Sequence, residues 1–144
     1  MYDSTINFTL DTICPWTYLA KRRLSKALSE VRAQSPPVNF TVRYHPYQLF
    51  KDAPAVGEDK YKWYLRTIYN DKPEMMEKYI AVMRAYGAPE GIDFKFGGEV
   101  ASTLDAHRVI QWFQEKRGEG VANGIIDCEF EQGWNLECCV ADEI

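Results

Sequence analysis

Long apolar runs are missing from this 144-residue chain. No stretch approaches the roughly 18 consecutive apolar residues that a membrane-crossing helix needs, so none is predicted to span a bilayer. Positive charge is also short. Lys and Arg number 17 against 21 Asp and Glu, a formal net charge of -4. With no basic stripe, the chain does not read as a nucleic-acid binder. Histidine is scarce (His45 and His107), and so is cysteine (Cys14, Cys128, Cys138 and Cys139). Adjacent Cys138 and Cys139 cannot readily both ligate one tetrahedral ion, and neither histidine stands at zinc-finger spacing, so no metal site is expected. The cysteines are too few, and too crowded at one end, for a disulfide framework. The opening Met1-Tyr2-Asp3-Ser4 runs directly into a strand with no basic-then-apolar leader, which predicts a cytoplasmic protein. No internal repeat or low-complexity tract is present. The two Asn-x-Thr sequons at Asn7 and Asn39 fall inside predicted strands and read as chance matches.

What is present is a hydrophobic content of 46% with 14% aromatics, enough for one domain with a proper core. The run Thr5-Ile6-Asn7-Phe8-Thr9-Leu10 alternates apolar and polar residues, the period of a half-buried strand. After Cys14-Pro15-Trp16-Thr17 the period becomes helical. Trp16, Leu19, Leu24, Leu28 and Val31 form the expected apolar face, and Lys21, Arg22, Arg23 and Lys26 the opposite one. Pro15 suits the first helical turn, which places Cys14 at the N-cap. A thiol there faces unpaired backbone N–H groups and the positive end of the helix dipole, a setting that favours the reactive thiolate.

Pro36-Pro37 ends this helix, and Val38 to Tyr44 alternates as a second strand. Strand, helix and strand make a βαβ unit over residues 4–48, whose two strands should be parallel. Chemistry is expected at their carboxyl ends, where Cys14 lies. His45 to Phe50 reads as an irregular turn at that edge, bringing His45 towards a binding role without a catalytic one. From Gly57 to Gly87 the pattern predicts two helices broken around Asn70-Asp71-Lys72. Their Met and aromatic stripe serves core packing or lines an apolar groove. A loop with apolar pegs at Phe94 and Phe96 follows. Ser102 is then the expected N-cap, with Asp105 completing a capping-box-like start. This helix should stop near Gly118, and a last one should run from Val121 to about Gln132.

The segment Phe8-Thr9-Leu10-Asp11-Thr12-Ile13-Cys14-Pro15-Trp16-Thr17-Tyr18 closely resembles the opening of DsbA-like thioredoxin-fold proteins. The subgroup it looks most like holds FrnE-type oxidoreductases, 2-hydroxychromene-2-carboxylate isomerases and kappa-class glutathione transferases. The resemblance continues through Tyr44-His45-Pro46-Tyr47-Gln48-Leu49 and Ser102-Thr103-Leu104-Asp105-Ala106-His107-Arg108. It implies an α/β fold, a thioredoxin-like βαβ unit carrying a large α-helical insertion, here over residues 57–132. Residues 1–144 would then form one incomplete DsbA-like domain. The β-hairpin, helix and cis-proline loop that close the family's domain have no counterpart after Gln132.

The chain also departs from the Cys-x-x-Cys of many redox members, because Thr17 holds the second position. A dithiol frees its trapped partner when the second thiolate attacks the mixed disulfide, and Thr17 cannot do so. The resemblance therefore implies a thiol–disulfide oxidoreductase in which Cys14 works as a single nucleophile beside Thr17. Pro15, Trp16 and His45 would line the substrate or glutathione site. Glutathione would act as co-substrate, with no bound cofactor. Alternatively, Thr17 donates its O–H to a bound thiolate, in a glutathione-dependent isomerase or transferase acting on a small aromatic compound. A third reading is a non-catalytic relative. The expected partners are a small thiol or a small aromatic molecule. A homodimer would cover the apolar surface of an open sheet.

Overall fold

The structure, a computed structural model, describes residues 2–34 and 37–135. Strand β1 (Tyr2–Leu10) leads through a short loop into helix α1 (Pro15–Ala33), and β2 (Val38–Pro46) returns parallel to β1. The register pairs Tyr2 with Val38 and Leu10 with Pro46, so both carboxyl ends finish level. Among the described residues this sheet has two strands. The βαβ unit is as expected, except that β2 runs on to Pro46. His45 therefore belongs to the strand and not to a turn after it.

The α1 face is turned from the expected one. Leu19 and Leu28 are buried and Leu24 and Val31 half-buried, but Trp16 is 42% exposed while Lys21 is 1% exposed. The Lys21 ammonium pairs with Asp127 and lies 5.8 Å from the centre of the Tyr44 ring. A buried ammonium persists only with such a partner. Tyr18 takes the core position instead, stacked on Phe130 with ring centres 4.8 Å apart.

The helical part follows. A two-residue strand β3 (Glu58–Asp59) pairs antiparallel with β4 (Glu99–Val100), a contact that the periodicity does not show. Helix α2 (Lys60–Tyr69) is capped by Asp59, which accepts from the Lys62 N–H at 2.8 Å. It ends at Asn70 in the left-handed region, and α3 (Pro73–Gly87) begins with a proline in its first turn. The break at Asn70-Asp71-Lys72 is where the sequence predicts it. The stripe on α3 divides, with Met76, Ile80 and Met83 buried and Met75 and Tyr86 exposed. Gly87 allows a close approach, since a Cβ there would lie 2.7 Å from both the Ile92 carbonyl oxygen and the Phe94 ring. That loop drives Ile92, Phe94 and Phe96 into the core.

Helix α4 (Leu104–Arg117) starts from Thr103, one residue later than predicted. Ser102 still accepts weakly from the Leu104 N–H at 3.5 Å. Glycine at 118 gives the positive φ of 86° that separates α4 from α5 (Glu119–Phe130), which passes into a π-helical turn at Glu131–Asn135. Gln114 of α4 binds both backbone polar groups of Tyr44, accepting from its N–H at 2.8 Å and donating to its C=O at 3.0 Å. A buried glutamine thus takes the place of a neighbouring strand and fixes the helical part against β2.

Candidate functional site

Where β1 ends, the loop Asp11-Thr12-Ile13 turns the chain into α1 and sets Cys14 at its N-cap, in extended geometry and half-buried. The Cys14 N–H donates to the Asp11 carbonyl at 3.0 Å. The carbonyls of the loop are then tied by three side chains, one from the first turn of α1 and two from far along the chain. The Thr17 hydroxyl lies 2.8 Å from the Asp11 oxygen, Trp134 Nε1 donates to Thr12 at 3.3 Å, and the Tyr64 hydroxyl donates to Ile13 at 2.9 Å. A loop held at each carbonyl keeps its thiol in one position relative to the helix end.

The Asp11 side chain anchors the same loop from within. It is 3% exposed; one oxygen accepts from the Leu49 N–H at 2.6 Å and the other from the Ile13 N–H at 3.4 Å. His107 of α4 brings Nε2 to 3.3 Å from the carboxylate. Burial alone would raise the Asp11 carboxyl. Hydrogen bonds from His107, Leu49 and Thr103, with the imidazole's charge, outweigh it and hold the group below the usual carboxylate range.

The predicted site residues are placed as follows. Cys14, Pro15, Trp16 and Thr17 stand together at the start of α1, with Pro15 buried and Trp16 exposed. The Trp16 ring leans on Tyr86 and Tyr79, at 5.8 and 6.4 Å between ring centres. The Thr17 hydroxyl has one proton, directed between the carbonyls of Asp11 and Cys14, both at 2.8 Å. In this arrangement its O–H serves the backbone. His45 is not drawn into the cluster; its Nε2 lies 2.9 Å from the Asn7 side-chain oxygen across the sheet. Cys128 is exposed on α5, and Cys138 and Cys139 lie outside the described residues.

Tyrosines 64 and 79 complete the surroundings of the thiol. Burial foremost, followed by neighbouring negative charge that includes Cys14, raises both phenols well above their ordinary value, so they remain neutral hydroxyls. The residues unassigned by sequence reasoning are His107 and Asp11, which meet across 96 positions, and Glu129. The first two stand in the quoted motifs, but nothing local in a sequence announces that they pair. Among the described residues no three His, Cys, Asp or Glu are grouped to hold a metal ion, and no helix is long and apolar enough to cross a membrane.

A parallel βαβ unit with a cysteine at the helix start and a helical block over its carboxyl edge defines a thioredoxin-like α/β fold. The chain belongs to the family of the DSBA-like thioredoxin domain, whose model matches residues 5–137. Among solved structures it is similar to a probable DsbA oxidoreductase from Streptomyces coelicolor, at 21% identity and a TM-score of 0.77. That alignment covers 94% of this chain and 56% of the other, so the chain spans little more than half the length of that relative. A comparison with curated proteins gave no match.

Proposed function

We propose that this protein is a thiol–disulfide oxidoreductase that works through the single thiol of Cys14, with glutathione as co-substrate and the cytoplasm as its compartment. The observation that carries this reading is the half-buried Cys14 at the N-cap of α1, on a loop tied at successive carbonyls by Thr17, Trp134 and Tyr64. The thiol stands at the positive end of the α1 dipole, although Pro15 has no N–H and the N–H groups of Thr17 and Tyr18 donate to the Cys14 carbonyl at 3.2 and 3.4 Å, so they are not the unpaired donors that the sequence suggests. In the reaction, Cys14 sulfur attacks a disulfide, its own bond to one sulfur forms as the old S–S bond breaks, and the other sulfur leaves as a thiolate. Position 17 holds a hydroxyl, so the mixed disulfide awaits a second external thiol. Glutathione supplies it and leaves as the new disulfide.

A second reading has a specific support. Trp16, Tyr79 and Tyr86 form an aromatic surface beside the cysteine, which suits a small aromatic substrate in a glutathione-dependent isomerase or transferase. For Thr17 to donate to a bound sulfur in that chemistry, its proton must first leave the backbone carbonyls.

Treatment with oxidised glutathione followed by mass spectrometry tests the reading. We expect one stable glutathione adduct, on Cys14. Thr17→Cys places a second thiol one helical turn away, and its adduct should collapse to an intramolecular disulfide, because attack by a held thiolate needs no new encounter. A folded parent chain that takes up no glutathione at Cys14 overturns the proposal. Turnover of an aromatic substrate with glutathione, without disulfide exchange, selects the second reading.

A further inference from the structure

A cavity of about 430 Å3 lies behind the thiol loop, bounded by Ile13, Val100, Thr103, Val109 and Trp134. Its size is that of a small-molecule site, and most of these walls are apolar. One lining side chain does not fit an ordinary interior. Glu129 of α5 is 7% exposed and, among the described residues, has no hydrogen bond or ion pair. Every fully enclosed side-chain nitrogen or oxygen of the described residues has a hydrogen-bond partner, so the Glu129 carboxyl oxygens reach the open volume of the cavity.

We propose that this cavity binds a small organic cation, an amidinium or ammonium on a compact apolar body, with Glu129 as its counter-ion. A buried carboxylate without a partner is costly, and a ligand that brings the opposite charge and three or more donors removes that cost. The apolar walls of Ile13, Val100 and Val109 receive the rest of the ligand. The groups around Glu129 favour a cation over an anion. Glu99 of β4 and Asp105 of α4 also line the cavity, while the Lys60 ammonium of α2 is engaged by the Gly133 carbonyl and lies 4.6 Å from the Trp134 ring centre. His107 of α4, the remaining titratable neighbour, is bound to Asp11. Burial pushes the Glu129 carboxyl up to about 7 against the opposing pull of His107, so a cation would draw out its proton on binding. The inference does not depend on the chemistry of Cys14.

Benzamidine is the probe, with neutral benzamide as its isostere, titrated into the full chain by calorimetry and followed by the Trp134 indole N–H resonance. Benzamidine should bind and shift that resonance; benzamide should not. Affinity should be up to about tenfold higher at pH 8 than at pH 6, because a carboxyl titrating near 7 goes from about one-tenth to about nine-tenths ionised while the amidinium stays charged. Glu129→Gln keeps His107 and should lose both the binding and the trend. Equal binding of benzamide, an affinity unchanged between pH 6 and 8, a silent Trp134 resonance, or undiminished binding by Glu129→Gln each overturns the proposal. The parent-chain comparison of the two probes decides it even where the variant fails to fold.

Discussion

The strands β1 and β2 each bury a single residue, Leu10 and Tyr44, both close to the thiol end of the sheet. In the helical part, Met76, Met83, Phe94, Ala122, Ile126 and Phe130 are wholly enclosed, and the rings of Tyr64, Phe96 and Trp134 meet edge to face. One region is held mainly by backbone pairing, the other by close-packed apolar volume. A two-stranded sheet is marginal alone. Here it is secured at one end, where Gln114 grips Tyr44 and Tyr18 stacks on Phe130. The candidate site lies at this junction, so the geometry of the cysteine loop depends on helices far away in the chain.

The largest test of that contrast is a pair of truncations. Phe130→Ala empties a fully buried site that joins α5 to α1 and should cost about 3–5 kcal/mol in urea unfolding. Phe8→Ala, on a half-buried strand position against Tyr44, should cost less than about 2 kcal/mol. Equal losses would show that the strands carry as much of the stability as the helices.

Two buried carboxyls, shifted in opposite directions, give the two regions different responses to pH. The folded-state value of Glu129 is raised to about 7 from 4.5, so folding holds a proton that the unfolded chain releases. Stability should therefore fall as pH rises from about 4.5 through about 7, by on the order of 3 kcal/mol at about 1.4 kcal/mol per unit. Glu129→Gln should be the more stable chain at pH 8 and equal to the parent below about pH 4. Asp11 is depressed, so its contribution is present above the unfolded carboxyl range and is lost as pH falls through its folded value. Chemical unfolding across this range checks both limbs. An unchanged alkaline limb in Glu129→Gln would show that the carboxyl is not desolvated.

The smallest expected effect concerns the turned face of α1. Leu28→Ala should cost about 2–3 kcal/mol, and Leu24→Ala, half-buried, about 1 kcal/mol. A larger loss at Leu24 would restore the face that the periodicity predicts.

Much of the architecture is legible locally. The switch from period two to helical period around Cys14-Pro15 marks the strand end and the helix start. Asn70 and Pro73 mark the α2–α3 break, and Gly118 the end of α4. The differences from that pattern have separate causes. Trp16 and Lys21 lie on sides of α1 opposite to those their polarity suggests, because Asp127 supplies a charge that burial of Lys21 requires. His45 stays in β2 although Pro46 follows it, because β2 is an edge strand among the described residues and an edge tolerates a residue without an N–H.

The parallel βαβ unit, the helical block and the cysteine at a helix start follow from local sequence, since they rest on periodicity, caps and breakers within a few residues of one another. Long-range packing brings Asp11 to His107, sets Tyr64 and Trp134 on the carbonyls of the cysteine loop, and leaves Glu129 facing a cavity without a partner among the described residues. The fate of a buried polar group depends on which distant atoms arrive beside it, and no local pattern carries that information.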